Sequence, residues 1–213
     1  MVTVKGSPRR YDSAGRQAQA RRSREVVLQA AERQFLHAGY AATTIAAMAA
    51  EAGVSVETIY KAFGGKAGLV RAIYDRSLRG QGPVPAYERS DQMRESETDP
   101  RTIIRKWAEL TTEVAAQLTP IRLLIRAAAA TDAEVAGVLR DSDNERLRRM
   151  RHHAEFLARR GYLRAAVTEG KATDILYTCS SVEIFEVLVL QRGWSLPEFA
   201  QFIADFMTSA LLE

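Results

Sequence analysis

Between Thr43 and Lys66 the chain gathers side chains suited to holding a polyanion rather than to breaking bonds. Thr44, Ser55 and Thr58 bring hydroxyls, Tyr60 a rigid phenol, Lys61 and Lys66 ammonium groups, and Val56 a compact apolar side chain. Hydroxyls, phenols and ammoniums suit phosphate oxygens, and a small apolar group suits a thymine methyl. Glu57 puts an acid in the same run. It could accept from cytosine N4 or repel phosphate, or serve only as a carboxylate at a helix start.

Other chemistry finds little support. The sequence has no G-x-S-x-G, P-loop, G-x-G-x-x-G or H-E-x-x-H pattern, so an enzyme is not expected. His152-His153-Ala-Glu155 hints at a metal, but adjacent helical side chains diverge by about 100° and cannot easily share one ion. Cys179, the single cysteine, excludes an internal disulfide and a thiolate-cage zinc site, and reads as a small core residue. No metal and no cofactor are expected.

The elements that must present the Thr43–Lys66 run read as helices. Apolar residues recur at Val27, Ala31 and Phe35 from Arg21 onward, and Gly39 ends that helix. Thr43 or Thr44 caps a short helix to Ala52, Ser55 caps another from Val56 to Phe63, and a fourth spans 66–79. Residues 1–20 lack an apolar period and read as a flexible basic arm. Gly80–Pro85 is a break, and the polar stretch after it is a loop or a short helix. Asp99-Pro100 opens a helix to about Leu118, and Thr119-Pro120 repeats that start signal. An arginine-rich helix follows to Arg160, then one over Lys171–Gln191. The last begins with a Ser195/Glu198 capping box, with Trp194 and Phe199 placed for a hydrophobic staple. The reading is an all-α chain of about nine helices. It divides into an arm (1–20), a head (21–66) and a larger helical body (67–213), with helix 66–79 as connector.

The formal charge of +4 is unevenly placed, since residues 1–66 alone hold a net +5. A basic front on a near-neutral body suits nucleic acid, or else a merely solvated tail. No apolar run reaches the ~18 residues of a membrane helix, and the N-terminus lacks a signal-peptide core. A globular, intracellular, cytoplasmic protein without a membrane partner is expected.

Two short helices joined by Ala52-Gly53-Val54-Ser55 fit the helix-turn-helix, although ordinary helical corners share those features. The whole run from Thr43 to Lys66 resembles the tetracycline-repressor-like (TetR) family of bacterial transcription regulators. Phe35 with Gly39, Ala52-Gly53-Val54-Ser55, and Thr58, Ile59, Tyr60, Phe63 and Lys66 match its motif in register, over about residues 24–78. Glu57 in place of glycine, Ala62 in place of His or Tyr, and Ala67-Gly68 without the usual acid depart from it.

The resemblance implies an operator-DNA-binding homodimer that answers to a small-molecule effector. DNA contacts would come from Thr44, Ser55, Val56, Glu57, Thr58, Tyr60, Lys61 and Lys66, with Lys66 reaching the backbone as a point charge. Arg9, Arg10, Arg16, Arg21 and Arg22 could add groove or phosphate contacts, or only solubilise. The last two helices would pair with their symmetry mates through Val182, Phe185, Val189, Phe199, Phe202 and Phe206. An effector pocket would lie among residues 100–191, lined by Ile104, Trp107, Ile125, Arg126 and Tyr177. An architectural DNA binder without effector, and an all-α small-molecule-binding protein or enzyme, remain as other readings.

Overall fold

The computed structural model describes residues 13–80 and 84–213 and is all-helical there. Helix α1 runs Ser13–Ala42. Its first eight residues lie within the expected arm but are helical, because Ala, Gln and Arg are strong helix formers even without an apolar stripe. Residues 1–12, with Arg9 and Arg10, lie outside the described residues. Gly39 takes a left-handed φ of 81°, so the chain kinks there as its glycine predicts. Thr43, buried beyond the kink, donates its hydroxyl to the Gly39 carbonyl at 2.7 Å.

Helix α2 (Ile45–Ala52) is capped by Thr44 and α3 (Val56–Phe63) by Ser55, as their sequences require. Gly53, at φ 66°, turns the chain between them. The Val54 amide donates to Ala49 O at 3.0 Å, which closes the corner. Helix α4 (Lys66–Ser77) buries Leu69, Val70, Ile73, Tyr74 and Ser77. Phe35, Met48, Ile59, Leu69 and Ile73 fill the centre of the head.

Gly68 carries a tighter constraint than the turn glycines. A Cβ there would stand 1.7 Å from the Phe63 carbonyl oxygen, which is backbone and cannot step aside. The departure Ala67-Gly68 is thus a packing requirement: α4 starts directly against the end of α3.

The polar stretch after the break is a helix, α5 (Ala86–Ser96), with Ser90 and Arg94 on its buried side. Helix α6 (Pro100–Ala128) runs past Leu118, where its sequence suggests an end, and continues through Pro120. An interior proline removes a hydrogen bond and costs about 3 kcal/mol. Leu118, Ile121 and Ile125, buried in one stripe across the site, hold the helix together. Thr119, expected as a cap, is fully buried and donates backward to the Ala115 carbonyl at 2.6 Å. Helix α7 (Ala133–Arg159) follows its Asp132 cap and ends at Gly161, φ 67°.

The helix expected over Lys171–Gln191 is broken. Helix α8 (Glu169–Cys179) stops at Ser180-Ser181, whose hydroxyls compete for backbone partners. The chain restarts as α9 (Val182–Phe185) and continues as a π-helical turn over Glu186–Gln191. Helix α10 (Leu196–Leu211) has the expected capping box. The staple differs: Trp194 meets Phe202 edge-on at 5.6 Å, while Phe199 turns inward onto Phe185 at 5.1 Å.

Helix α6 joins the two halves. Its C-terminal part packs in the head cluster, and Ile103, Ile104, Trp107 and Ala108 pack with α8 and α10 in the body cluster. Among the described residues no helix is long and apolar enough to cross a membrane.

Gly68→Ala should lower the urea midpoint by the equivalent of about 2 kcal/mol or more, since neither backbone can yield. Gly137→Ala, in α7 with only Arg140 Nη2 at 3.8 Å, should stabilise by about 0.5–1 kcal/mol. Denaturation followed by circular dichroism compares the two.

Candidate nucleic-acid interface and ligand cavity

Helix α3 presents one face and buries the other. Ile59 is fully buried, while Val56 and Tyr60 are 41% and 53% exposed, with Glu57, Thr58 and Lys61 open beside them. The Ser55 hydroxyl accepts from the Thr58 amide at 3.1 Å and pairs with the Thr58 hydroxyl at 2.9 Å. Thr44 accepts from the Ala47 amide at 3.1 Å and stays exposed. Tyr60 is therefore no core tyrosine. A hydroxyl-capped helix start, a phenol, an ammonium and an apolar side chain share one open surface.

Lys66 stands apart from that surface. Its Nζ donates to the Tyr40 carbonyl at 2.5 Å and lies 4.2 Å from the Tyr40 ring centre. The Tyr40 hydroxyl donates to Asp132 at 2.8 Å, and Asp132 also caps α7 through the Glu134 and Val135 amides. Burial and the Asp132 carboxylate raise the Tyr40 phenol above its usual range. The Val135 amide and the Tyr40 hydroxyl hold Asp132 below the usual carboxylate range. Lys66 thus ties the kinked end of α1 to the cap of α7.

Arg24, which the motif did not single out, does position α3. Its guanidinium lies 4.3 Å from the Phe63 ring centre, and Nη1 donates to Ala62 O at 3.2 Å. The four-residue recurrence of Val27, Ala31 and Phe35 in α1 gives no hint of a contact across 38 residues. Arg21 and Arg22 lie exposed on α1, Arg22 bonding Gln19 at 3.0 Å.

Behind the head, α4–α10 border a largely apolar cavity of about 290 Å³. Tyr74 and Leu78 of α4 line it, facing Trp107, Leu110 and Val114 of α6. Of the five residues expected in a pocket, Trp107 alone lines this one. Ile104 and Ile125 are fully buried in the two core clusters. Arg126 lies on the surface, paired with Glu183 at 3.1 Å and Glu186 at 3.0 Å. Tyr177 lies under the Arg146 guanidinium, 3.7 Å from its ring centre, with its hydroxyl on Asp143 at 3.3 Å. Helical periodicity marks which residues are buried but not which buried residues border a void.

The two histidines separate as their spacing predicts. His152 is exposed, 3.8 Å from Glu155, while His153 is 5% exposed and lines the cavity. His153 packs on Trp107 at 4.3 Å between ring centres, and its Nε2 meets the Ser90 hydroxyl at 3.2 Å. Burial, then Arg149, Arg94 and His152, push its pKa well below the ordinary imidazole range. Burial pushes the Cys179 thiol, also on the cavity, up to about 12, so it is a thiol and not a thiolate.

The expected pairing face is redrawn. Val182, Phe185 and Phe199 are buried within the chain's own core. Val189 is half-buried, and Phe202 and Phe206 remain open on α10. Val187 and Leu190 of the π turn join them, Leu190 at 55% and Phe206 at 44% exposure. The break at Ser180-Ser181 and the π turn rotate the apolar stripe away from the register of a continuous helix.

Helices α2 and α3, with the open face of α3 outward, form a helix-turn-helix head joined to a cavity-bearing helical body. Residues 27–73 match the sequence model described as bacterial regulatory proteins, tetR family. NalD, the secondary repressor of the MexAB-OprM multidrug efflux pump in Pseudomonas aeruginosa, superposes with a TM-score of 0.71 at 19% identity, covering 92% of this chain and 98% of that one. The SmeT–triclosan complex gives 0.70 at 20%, covering 90% and 92%. A protein from Saccharomonospora viridis in complex with choline gives 0.67 at 18%, covering 91% and 99%. No curated protein matches the sequence. The family match covers the head alone, and the solved structures share the fold of the whole chain.

His153 also sets a pH dependence. Its folded pKa lies below the unfolded value near 6.5, so the unfolded chain takes up the proton first and stability falls as pH drops below about 6.5. The loss from this group cannot exceed about 1.4 kcal/mol per pH unit. Urea midpoints at pH 8, 6 and 5 should show a shallower decline for His153→Leu than for the unmodified chain.

Proposed function

We propose that this chain is a TetR-like DNA-binding transcription regulator: a cytoplasmic homodimeric repressor, not an enzyme, released from its operator by a small molecule in the α4–α10 cavity. The open face of α3 carries the reading: Val56, Glu57, Tyr60 and Lys61 stand out over the buried Ile59. Set in a major groove, Val56 and Glu57 would meet base edges. Tyr60, Lys61 and the capped starts of α2 and α3 would meet phosphates. Two half-sites need two heads, and the exposed Val187, Leu190, Phe202 and Phe206 offer a self-complementary apolar face.

The connection between cavity and head supports release. Helix α4 lines the cavity through Tyr74 and Leu78 and begins against α3 at Gly68. Arg71, on the same helix, holds cavity-lining Glu145 with bonds of 2.8 and 2.9 Å. A molecule that favours one placement of α4 over another would change the spacing of the two heads. The solved complexes of the SmeT and Saccharomonospora viridis proteins hold triclosan and choline, which is consistent with a ligand-holding body on this fold.

Footprinting on the DNA upstream of the chain's own gene should show a protected, two-fold symmetric site. Absence of any protection would leave the helix-turn-helix as a structural corner. Protection that no small compound relieves would favour an architectural binder. Lys61→Ala should weaken all sequences alike and shallow the salt dependence by about one unit. Lys66→Ala should leave that slope unchanged and lower stability instead, because its ammonium is engaged on Tyr40. Phe206→Glu should give a monomer by light scattering at micromolar concentration while leaving the helical signal intact.

A further inference from the structure

Four acids lie between residues 21 and 66, and all but one are held. Glu25 and Glu32 lie on Arg76 at 2.7 and 2.5 Å, and Glu51 takes Arg33 at 2.8 Å and Gln34 at 2.6 Å. Glu57 is the fourth, exposed on α3, and its carboxylate has no ion pair or hydrogen bond among the described residues. The start of α10 shows an acid that serves its own helix: Glu198, at the third helical position, accepts from the Ser195 amide at 2.8 Å. In α3 that position belongs to Thr58, whose hydroxyl meets that of Ser55 at 2.9 Å. Glu57 stands one residue too early to close a capping box.

The helix also sets its direction. Ile59, two residues on, is fully buried and lies about 200° around the axis, so Glu57 points away from the core. Lys61, one turn on, is exposed on the same outward side. The first turn of a helix favours a carboxylate, which accounts for Glu57 in the free chain. Set against DNA, the same carboxylate faces phosphates and weakens every complex in which it finds no donor. The bases offer few donors. On its major-groove edge cytosine presents the N4 amino group alone, whereas the adenine N6 amino group sits beside the N7 acceptor, which repels a carboxylate. Guanine presents two acceptors, and thymine an acceptor and a methyl group.

We infer, on the reading of α3 as the groove helix, that Glu57 sets operator specificity by accepting a hydrogen bond from cytosine N4 at one fixed position of each half-site. The acid discriminates by penalty as much as by bonding. At cytosine its carboxylate is satisfied, and at any other base it is left among acceptors and phosphates.

The full chain, Glu57→Gln and Glu57→Ala are each used to select from a pool of DNA duplexes with a random central segment. The enriched duplex and its single-base variants are then titrated by fluorescence anisotropy. The unmodified chain should enrich a cytosine at one position of each half-site, and exchanging that base pair for any other should weaken binding about tenfold or more. Glu57→Ala should bind all four bases at that position alike and keep the preferences elsewhere. Glu57→Gln, whose amide matches adenine N6 and N7 together, should exchange the cytosine preference for adenine. Both substitutions change an exposed side chain, so the helical signal in circular dichroism should be unaltered. A cytosine preference that survives in Glu57→Ala overturns the inference, even where that variant binds every sequence more tightly, since Glu57 then only repels phosphate. A base other than cytosine at the position that Glu57→Ala relaxes overturns it too. An unmodified chain that enriches no sequence overturns the reading of α3 as a groove helix, and the role of Glu57 falls with it.

Discussion

Helix α4 has almost no side of its own, and the rest of the molecule is arranged around that fact. Leu69, Val70 and Ile73 are fully buried in the head cluster, Tyr74 and Leu78 border the cavity, and Gly68 presses on the α3 backbone. Packed cores resist partial displacement, so a shift at one end of such a helix is felt at the other. The exposed edge adds ion pairs to two helices: Arg76 holds Glu25 and Glu32 of α1 at 2.7 and 2.5 Å, and Arg71 holds Glu145 of α7. The head is seated on its body by a helix that reports on both.

Around this seat the chain uses charge mainly for alignment. Lys66, Tyr40 and Asp132 link α4, α1 and α7 in one hydrogen-bonded chain, and Arg24 fastens the end of α3. The net positive charge of the front end is thus divided between groups turned inward and groups left open. Lys61, Arg21 and Arg22 belong to the second kind. A charge count separates the basic end from the body but not these two uses, because an inward ammonium and an outward one look alike in sequence.

Legibility followed the range of the interactions. The caps at Thr44, Ser55, Asp99, Asp132 and Ser195 act within four residues, and each forms where its residue type places it. The buried stripe of α4 was equally plain, since periodicity within one helix dictates it. The misreadings arose where distant packing overrode a local signal. Pro120 carries a start signal, yet Leu118, Ile121 and Ile125 keep α6 whole across it. Ala-, Gln- and Arg-rich residues 13–20 lack a stripe yet extend α1. The cavity lining depends on where seven helices leave a gap, and no single helix encodes that. Trp107 was found because a large aromatic at an inward position borders many neighbours; His153 was weighed only as a metal ligand.

The π-helical turn at Glu186–Gln191 also decides which way the exposed apolar side chains beside it face. A π turn holds one residue more than the α turn it replaces, so everything beyond it is rotated by about 100° relative to an uninterrupted helix. Removing a single residue there would restore the α-helix and turn Val187–Gln191 by that angle, while α10 stays anchored through the buried Phe199, Ile203, Met207 and Leu211. Val187 and Leu190 would then leave the surface they share with Phe202 and Phe206, so one residue of chain length decides whether that exposed apolar face forms.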